Sequence, residues 1–159
     1  MVGSGTLWKK VGDIMFMGEY HHNIDEKGRI VIPNKFRAQL EDTFVLVRGL
    51  ENCLYLYAYA DWEKLVGKLN TLPFTKKDAR TFIRSFFSGA CECEFDKQGR
   101  TCITLPLIKH ANILKECIIV GANDRIEIWS KENWEQFMDD NRGTLSDIAE
   151  NLFMDVNEG

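Results

Sequence analysis

Two copies of one polar motif, Asp-x-x-Gly-Arg, carry the side chains best suited to chemistry in this sequence. The first copy spans residues 25–29 and the second spans residues 96–100, so the motif recurs at a spacing of 71. An aspartate that opens a turn can accept hydrogen bonds from backbone N–H groups, and a glycine tolerates the left-handed conformation that a hairpin needs. The arginine adds a planar fork of donors that matches phosphate oxygens or the edge of a guanine.

Basic side chains surround both motifs, and we predict that this surface contacts DNA. The predicted DNA-binding residues are Lys27, Arg29, Lys35, Arg37, Lys97 and Arg100, and the turns are predicted to be shaped by Asp25, Gly28, Asp96 and Gly99. The first copy has more basic neighbours, because Ile108 aligns with Arg37 at the same spacing of 71. The alternative, which the spacing alone leaves open, is that each arginine only forms an ion pair with its own aspartate and steadies the hairpin.

The motif belongs to a longer repeat, which must position the two turns. Ile32 aligns with Ile103, and after one inserted residue Gly49 and Trp62 align with Gly121 and Trp134 at a spacing of 72. Each copy reads as strand, turn, strand, short helix, strand, turn, strand. A unit of about 45 residues cannot bury much core alone. We therefore predict a mainly β, α+β fold in which two tandem ββαββ repeats interleave as swapped hairpins into one β-barrel with a shared core.

Helices are expected to follow each copy and to flank the barrel. Asp61 is predicted to cap a helix after the first copy, and Ser130 to open a helix after the second. Amphipathic stripes mark two further helices, one with Ala79, Phe82, Ile83, Phe86 and Phe87, the other with Leu145, Ile148, Ala149, Leu152 and Phe153. The predicted organisation is a leader or tag over residues 1–14, a first repeat with its helix over 15–72, and the linking helix, second repeat and C-terminal helices over 73–159.

The charge is distributed unevenly along the 159 residues. The net charge of −4 argues against a generally basic nucleic-acid binder. However, the segment 139–159 holds six acids and one arginine, a charge of −5, so the rest of the chain carries −4 + 5 = +1. Local potential matters more to a polyanion than net charge does, and a basic surface can therefore exist in the body of the protein. No apolar run approaches the ~20 residues of a membrane span, and we predict no membrane association.

The sequence offers no set of catalytic residues. It contains no GxSxG, P-loop, HExxH or dinucleotide fingerprint, so we predict that the protein is not an enzyme and uses no cofactor. Its five cysteines form no CxxC pair and are expected to be reduced. Cys91 and Cys93 should share one face of a strand. A metal site that combines them with His21 and His22 is conceivable, but we favour no metal site.

The stretches "MFMGEYHHNIDEKGRIVIPNKFR", "FIRSFFSGA" and "ANDRIEIWSKENWEQ" resemble the MraZ family. The resemblance covers nearly everything from Met15 onward. It implies an AbrB-like or MazE-like DNA-binding fold and a bacterial transcriptional regulator of the division and cell-wall gene cluster, bound to repeated promoter sites. It also implies ring-like homo-oligomers in the cytoplasm, associated with the nucleoid. Thr104 stands where the family usually has a proline, and Ile108 stands where it usually has an arginine.

Three functions remain to be compared. The first is a sequence-specific regulator that binds double-stranded DNA. The second is an antitoxin-like module that binds DNA and also a toxin partner through the acidic tail. The third, which we rank lowest, is an enzyme such as a hydrolase with an unrecognised site.

Overall fold

A computed structural model describes residues 15–158, so the predicted leader or tag lies outside the described residues. The described chain forms eight strands: β1 (Phe16–Asn23), β2 (Arg29–Val31), β3 (Phe44–Arg48), β4 (Leu54–Ala58), β5 (Cys91–Cys93), β6 (Arg100–Cys102), β7 (Glu116–Asn123) and β8 (Ile126–Ser130). It also forms six helices: α1 (Asn34–Arg37), α2 (Tyr59–Leu69), α3 (Lys77–Ser88), α4 (Leu105–His110), α5 (Lys131–Asp140) and α6 (Leu145–Glu158).

The two repeats interleave, as predicted. A six-stranded antiparallel sheet has the order β1-β7-β8-β4-β3-β5, and β2 pairs with β6 in a separate two-stranded ribbon. The first strand of each repeat therefore pairs with the third strand of the other repeat, β1 with β7 and β5 with β3. Neither repeat forms its sheet from its own strands alone, which explains why one chain carries two copies of so small a unit.

Equivalent residues face one another across the centre of both sheets. Tyr55 in β4 pairs with Glu127 in β8, and the alignment that matches Trp62 with Trp134 also matches these two positions. Ile30 in β2 pairs with Thr101 in β6, and both directly follow the motif arginine of their own repeat. A pseudo-twofold axis therefore passes through both pairs and relates the first repeat to the second. The symmetry is incomplete, because eight residues of β1 pair with β7 whereas three residues of β5 pair with β3.

Alternation along the strands sends side chains to two separate cores. On β3, Phe44 and Leu46 enter a core between the six-stranded sheet, the ribbon and the short helices α1 and α4. Val45 and Val47 of the same strand enter an aromatic core on the opposite side of the sheet, beneath α2, α3 and α5. The second core holds the three phenylalanines of the predicted helical stripe, Phe82, Phe86 and Phe87. The sheet thus separates α2, α3 and α5 from the ribbon.

The helix starts show where local sequence decides structure and where packing does. Ser130 is the N-cap of α5 and accepts a 3.0 Å hydrogen bond from the backbone N–H of Asn133, as predicted. The predicted cap by Asp61 is wrong: α2 begins at Tyr59 after Ala58, and Asp61 lies in its first turn. Strand β4 runs directly into α2. The helix therefore begins where the buried strand ends, two residues before Asp61, and the capping preference of Asp61 does not determine its start.

The mainly β, α+β class with flanking helices is confirmed, but the sheet does not close into a barrel. Strands β1 and β5 remain the edges of the six-stranded sheet, and the β2–β6 ribbon lies across its core face as a second layer. Residues of both repeats share the core between the sheet and the ribbon, without continuous strand pairing around it. Among the described residues, no helix is long and apolar enough to span a membrane.

Candidate nucleic-acid interface

The first Asp-x-x-Gly-Arg motif forms a tight hairpin between β1 and β2. Asp25 Oδ1 accepts backbone N–H hydrogen bonds from Lys27 at 2.9 Å and Arg29 at 2.8 Å, which fold the chain around the carboxylate. The N–H of Gly28 donates to the carbonyl of Asp25 at 3.0 Å, and Gly28 has φ +78°. A three-residue loop that ends in a left-handed residue is a common hairpin connection, and glycine fills that position at least cost.

The same aspartate also holds the arginine side chain. Arg29 Nε donates to Asp25 Oδ2 at 2.8 Å, with about one third of each side chain exposed. Within the described residues, the side-chain hydrogen bonds and ion pairs of Arg29 use Nε, which leaves the Nη1 and Nη2 ends of the fork for a ligand. Hydrogen bonds from the Arg29 backbone, and then from its side chain, hold the pKa of the Asp25 carboxyl below its ordinary 3.8.

The second motif reproduces this geometry between β5 and β6. Asp96 Oδ1 accepts from the N–H groups of Gln98 and Arg100, each at 2.9 Å, and Oδ2 accepts from Arg100 Nε at 2.7 Å. Gly99 has φ +75°. The pKa of the Asp96 carboxyl is likewise lowered, chiefly by the hydrogen bond from the Arg100 backbone. The predicted ion pairs and the predicted turns are therefore both present, in both copies.

The swapped arrangement brings the two turns together. The N–H of Ile103 donates to the Gly28 carbonyl at 2.7 Å, and the N–H of Ile32 donates to the Gly99 carbonyl at 3.2 Å. Each turn is thus anchored by the strand of the other repeat. Because Ile30 and Thr101 point into the core, the alternating Arg29 and Arg100 lie on the outer face of the ribbon. Arg29 pairs with Cys102 and Arg100 pairs with Val31, so the two arginines are diagonal neighbours across the ribbon. Diagonal neighbours in an antiparallel pair have Cα atoms about 7–8 Å apart.

Comparison with known proteins agrees with this duplicated architecture. A family model described as "MraZ protein, putative antitoxin-like" matches twice, over residues 15–85 and 86–156. The chain belongs to the MraZ family. Relatives named Transcriptional regulator MraZ share 53% identity with it in Lactobacillus helveticus and 52% in both Lactobacillus johnsonii and Lactobacillus gasseri. Each alignment covers 138 residues, 87% of this chain and 96% of the relative.

The position of Arg37 differs from the one that the order of residues in the repeat predicted. Sequence proximity predicted that Arg37 would lie beside Arg29, but its guanidinium lies over Gly99 of the second turn, where an added Cβ would collide with it. Ile108, the aligned residue of the second repeat, lies over Gly28, with its Cδ1 at 3.6 Å from the Cβ position. Each turn is therefore covered by the short helix of the other repeat, so the predicted grouping of Arg37 with the first turn is wrong.

The DNA-contact roles of all six predicted residues stay predictions, and the structure gives the accessibility of their side chains. Lys27, Lys35 and Lys97 are exposed, whereas Arg37 is half-buried and donates from Nη2 to Asn34 Oδ1 at 3.2 Å. The position of Arg37 over the turn of the other repeat was not visible in a linear alignment. It could have been found by combining the Arg37–Ile108 alignment with swapped hairpins, because swapping carries each short helix to the opposite turn. Among the described residues, no group of three or more His, Cys, Asp or Glu side chains could hold a metal ion.

Proposed function

We propose that this MraZ-family protein is a sequence-specific transcriptional regulator that reads duplex DNA with the β2–β6 ribbon and its two turns. The observation that carries the proposal is the pair of arginines, each held through Nε by its own aspartate on the outer face of the ribbon. The major groove admits a two-stranded β-ribbon, and an arginine fork can bind the O6 and N7 atoms of a guanine. The name of these relatives, transcriptional regulator, supports the same function.

The spacing of the two arginines suits adjacent positions on DNA. A diagonal separation of about 7–8 Å in an antiparallel ribbon corresponds to about two base-pair steps at 3.4 Å per step. The exposed lysines Lys27 and Lys97 flank the same turns and would add phosphate contacts that fix the register but carry no sequence information. Arg37 adds a cation to the second turn, so the two halves of this surface are related but not identical.

The finer parts of the proposal concern the biological setting. The target is proposed to be repeated sites in the promoter of a bacterial division and cell-wall gene cluster, and the protein is proposed to act in the cytoplasm, associated with the nucleoid. It is proposed to be a binding protein without enzymatic activity, assembled as a ring-like homo-oligomer. Exposed apolar residues in the segment between α2 and α3, such as Phe74 at 81% exposure, and on α6 support the assembly.

Binding of the DNA upstream of the protein's own gene, measured over a salt series, tests the proposal. Arg29→Ala and Arg100→Ala should each weaken specific binding by ~1–3 kcal/mol and relax discrimination at one base pair. Arg142→Ala is the matched control, since Arg142 also pairs with an aspartate, Asp139, at 2.6 Å, but lies between α5 and α6. Melting temperatures of the same variants separate loss of contact from loss of folding. Unchanged operator affinity in folded Arg29→Ala and Arg100→Ala proteins would falsify the DNA-contact role.

An antitoxin-like module is the second candidate, because the matching family description carries that term. The exposed acidic residues of α6, Asp147, Glu150 and Asp155, would then face a basic protein partner. Co-purification from native cells followed by mass spectrometry distinguishes the two functions. A small basic protein recovered in equal amounts favours the antitoxin-like module, whereas recovery of the homo-oligomer with its operator DNA favours the regulator.

A further inference from the structure

Two small apolar side chains lie on the outer face of the β2–β6 ribbon, beside the motif arginines. Val31 and Cys102 each follow the motif arginine of their own repeat by two residues, so each shares the face of that arginine. The residues that alternate with them point into the core below the ribbon and include Ile30, Ile32 and Ile103. Val31 and Cys102 belong to neither hydrophobic core. Cys102 is exposed and Val31 is half-buried, so both can be reached from the side that carries the arginines.

The swapped hairpins place each apolar side chain beside the arginine of the other repeat. Arg29 pairs with Cys102, and Val31 pairs with Arg100. The cross-strand hydrogen bonds at the two motif glycines lie one residue away from these pairs. The pairs themselves are therefore of the non-hydrogen-bonded type, in which opposite side chains approach most closely. Cβ atoms of directly opposite residues are about 4.5–5.5 Å apart, so the face presents two units, each an arginine fork with one apolar neighbour.

The chemistry of the two side chains suits one group in the major groove of DNA. Thymine presents a methyl group there, whereas the other groups on the base edges are hydrogen-bond donors and acceptors. A valine side chain has no polar atom, and a cysteine behaves as a small hydrophobe with a weak S–H donor. The Sγ atom of Cys102 already faces the carbonyl of Lys27 at 3.6 Å. Opposite either side chain, a polar base edge would lose water without a replacement partner, whereas a methyl group would not.

The separations place such a methyl group on the base pair next to each guanine. Neighbouring base pairs are about 3.4 Å apart along the helix axis, somewhat less than the cross-strand separation of about 4.5–5.5 Å. When an arginine fork binds the O6 and N7 atoms of a guanine, the side chain opposite it therefore lies over an adjacent base pair. Val31 would accompany the guanine bound by Arg100, and Cys102 would accompany the guanine bound by Arg29.

We propose that Val31 and Cys102 are specificity residues that contact the 5-methyl groups of two thymines, each adjacent to a guanine bound by the arginine of the other repeat. The inference rests on the proposed function, because it requires the ribbon to enter the major groove. It adds two apolar contacts to the two arginine contacts. Burial of one methyl group should raise affinity by about fourfold.

Replacement of single thymines by deoxyuridine tests these contacts, because deoxyuridine lacks the methyl group and keeps the base pair. The probes are duplexes from the DNA upstream of the protein's own gene, titrated with reduced, full-length protein and followed by fluorescence anisotropy. The wild type should lose about fourfold in affinity at two thymines. Val31→Ala should abolish the loss at one of them and Cys102→Ala the loss at the other. Val66→Ala is the matched control, a half-buried valine on α2 across the sheet, and should keep both losses.

The position of each thymine gives a second criterion. Loss of discrimination in Arg29→Ala and Arg100→Ala locates the two guanines. The thymine that depends on Val31 should adjoin the guanine that depends on Arg100, and the thymine that depends on Cys102 should adjoin the guanine that depends on Arg29. The opposite assignment, or a thymine preference that persists in both alanine variants, would overturn the inference.

Two features keep the experiment decisive. The ratio of affinities for thymine and deoxyuridine probes is measured on one protein sample, so it does not depend on the folded fraction of a variant. Val31→Thr retains one methyl group at nearly the same volume and should keep part of the ratio, whereas complete loss in this variant would count against a methyl contact. Specific binding by the wild type with equal affinity for both kinds of probe would overturn this inference alone, whereas absence of specific DNA binding would overturn the proposed function itself.

Discussion

The two motif aspartates each perform two tasks with different oxygen atoms. Oδ1 of Asp25 accepts backbone N–H groups and shapes the turn, while Oδ2 holds the arginine through Nε. At Arg29 the ion pair and the proposed DNA contact do not compete, because the Nη ends of Arg29 are not used by the aspartate. At Arg100, Nη1 also lies 3.9 Å from Asp25 Oδ2, so that end of the fork is shared between the two motifs. An exposed ion pair contributes little to stability by itself. Its value here is that it fixes the direction of the arginine before any ligand arrives.

Acidification should loosen both turns at once. Asp25 and Asp96 have pKa values below 3.8 in the folded protein and ordinary values when unfolded. A lowered folded-state pKa contributes stability that is present above the unfolded pKa and is lost as pH falls through the folded pKa. We expect the melting temperature of the wild type to decrease as the pH drops below about 4. The melting temperature of the Asp25→Asn/Asp96→Asn double variant should decrease less over the same pH range. Parallel pH profiles for the two proteins would show that other carboxyl groups cause the acid sensitivity.

Alanine at the two motif glycines should produce different losses. Both positions have φ near +75°, where an L-residue costs ~1–2 kcal/mol. At Gly28 the new Cβ would also lie 2.9 Å from the Ile103 carbonyl, which is backbone and cannot move freely. At Gly99 it would displace the flexible guanidinium of Arg37. We therefore expect Gly28→Ala to lower the free energy of unfolding more, and Gly99→Ala to lower DNA affinity more than its stability loss explains.

Two other glycines provide controls for this comparison. Gly143 has φ +79° with open space around it, so Gly143→Ala isolates the backbone contribution. Gly67 lies inside α2 with nothing within 4 Å of an added Cβ, so Gly67→Ala should stabilise by ~0.5–1 kcal/mol. Denaturant unfolding of all four variants gives the ranking. Equal losses at Gly28 and Gly143 would show that the Ile103 contact has no energetic consequence.

For strands and helices, periodicity and turn chemistry carried most of the predictive power. The turn at residues 25–29 was predictable because aspartate, glycine and arginine each have a local reason to be there. The cap at Ser130 was predictable for the same reason. The start of α2 was not, since burial of β4 and Trp62 outweighs the preference of Asp61 for a cap position. The open edge at β5 also escaped prediction, because so short a pairing leaves no distinct pattern in sequence.

The position of Arg37 was the part of the candidate site that local reasoning could not reach. A single-turn helix follows β2 closely, and in a linear chain its side chains belong with the first turn. Swapping carries that helix across the pseudo-twofold axis to the second turn. Long-range strand pairing therefore determines which basic residue lies beside which motif arginine. The order of residues along one repeat does not reveal that pairing.

Exchanging the two residues that cover the turns should move a charge from one turn to the other. Arg37→Ile should reduce the salt dependence of DNA binding by about 0.9 in slope if Arg37 contacts one phosphate, and Ile108→Arg should increase it by a similar amount. The double exchange should restore the slope. Arg84→Ile is the control, since Arg84 is exposed on α3, across the sheet from the ribbon. Fluorescence anisotropy at several salt concentrations measures these slopes, and equal slopes for wild type and Arg37→Ile would exclude a phosphate contact.

At the scale of the whole molecule, the six-stranded sheet separates a ribbon-covered face from a helix-covered face. The ribbon face carries the motif turns and the basic side chains that we predict to contact DNA, and the opposite face carries α2, α3 and α5. The apolar residues that remain exposed include Phe74 between α2 and α3 and the stripe on α6. These two apolar regions lie on different parts of the chain. A contact between two unlike patches is heterologous, and such contacts generate a ring if the rotation between neighbours closes.

Charge placed on the α6 stripe should therefore disrupt assembly. Leu145 is 76% exposed, Ile148 43% and Leu152 58%, and their spacing puts them on one face of the helix. Contiguous exposed apolar surface of this kind marks interaction sites. We expect the wild type to sediment as one homo-oligomer at micromolar concentration, and Ile148→Glu/Leu152→Glu to sediment as a smaller species with an unchanged far-ultraviolet circular dichroism spectrum. Asn151→Glu adds the same type of charge beside the stripe and should leave the oligomer intact. A monomeric wild type, or an oligomer unaffected by the double substitution, would rule out this interface.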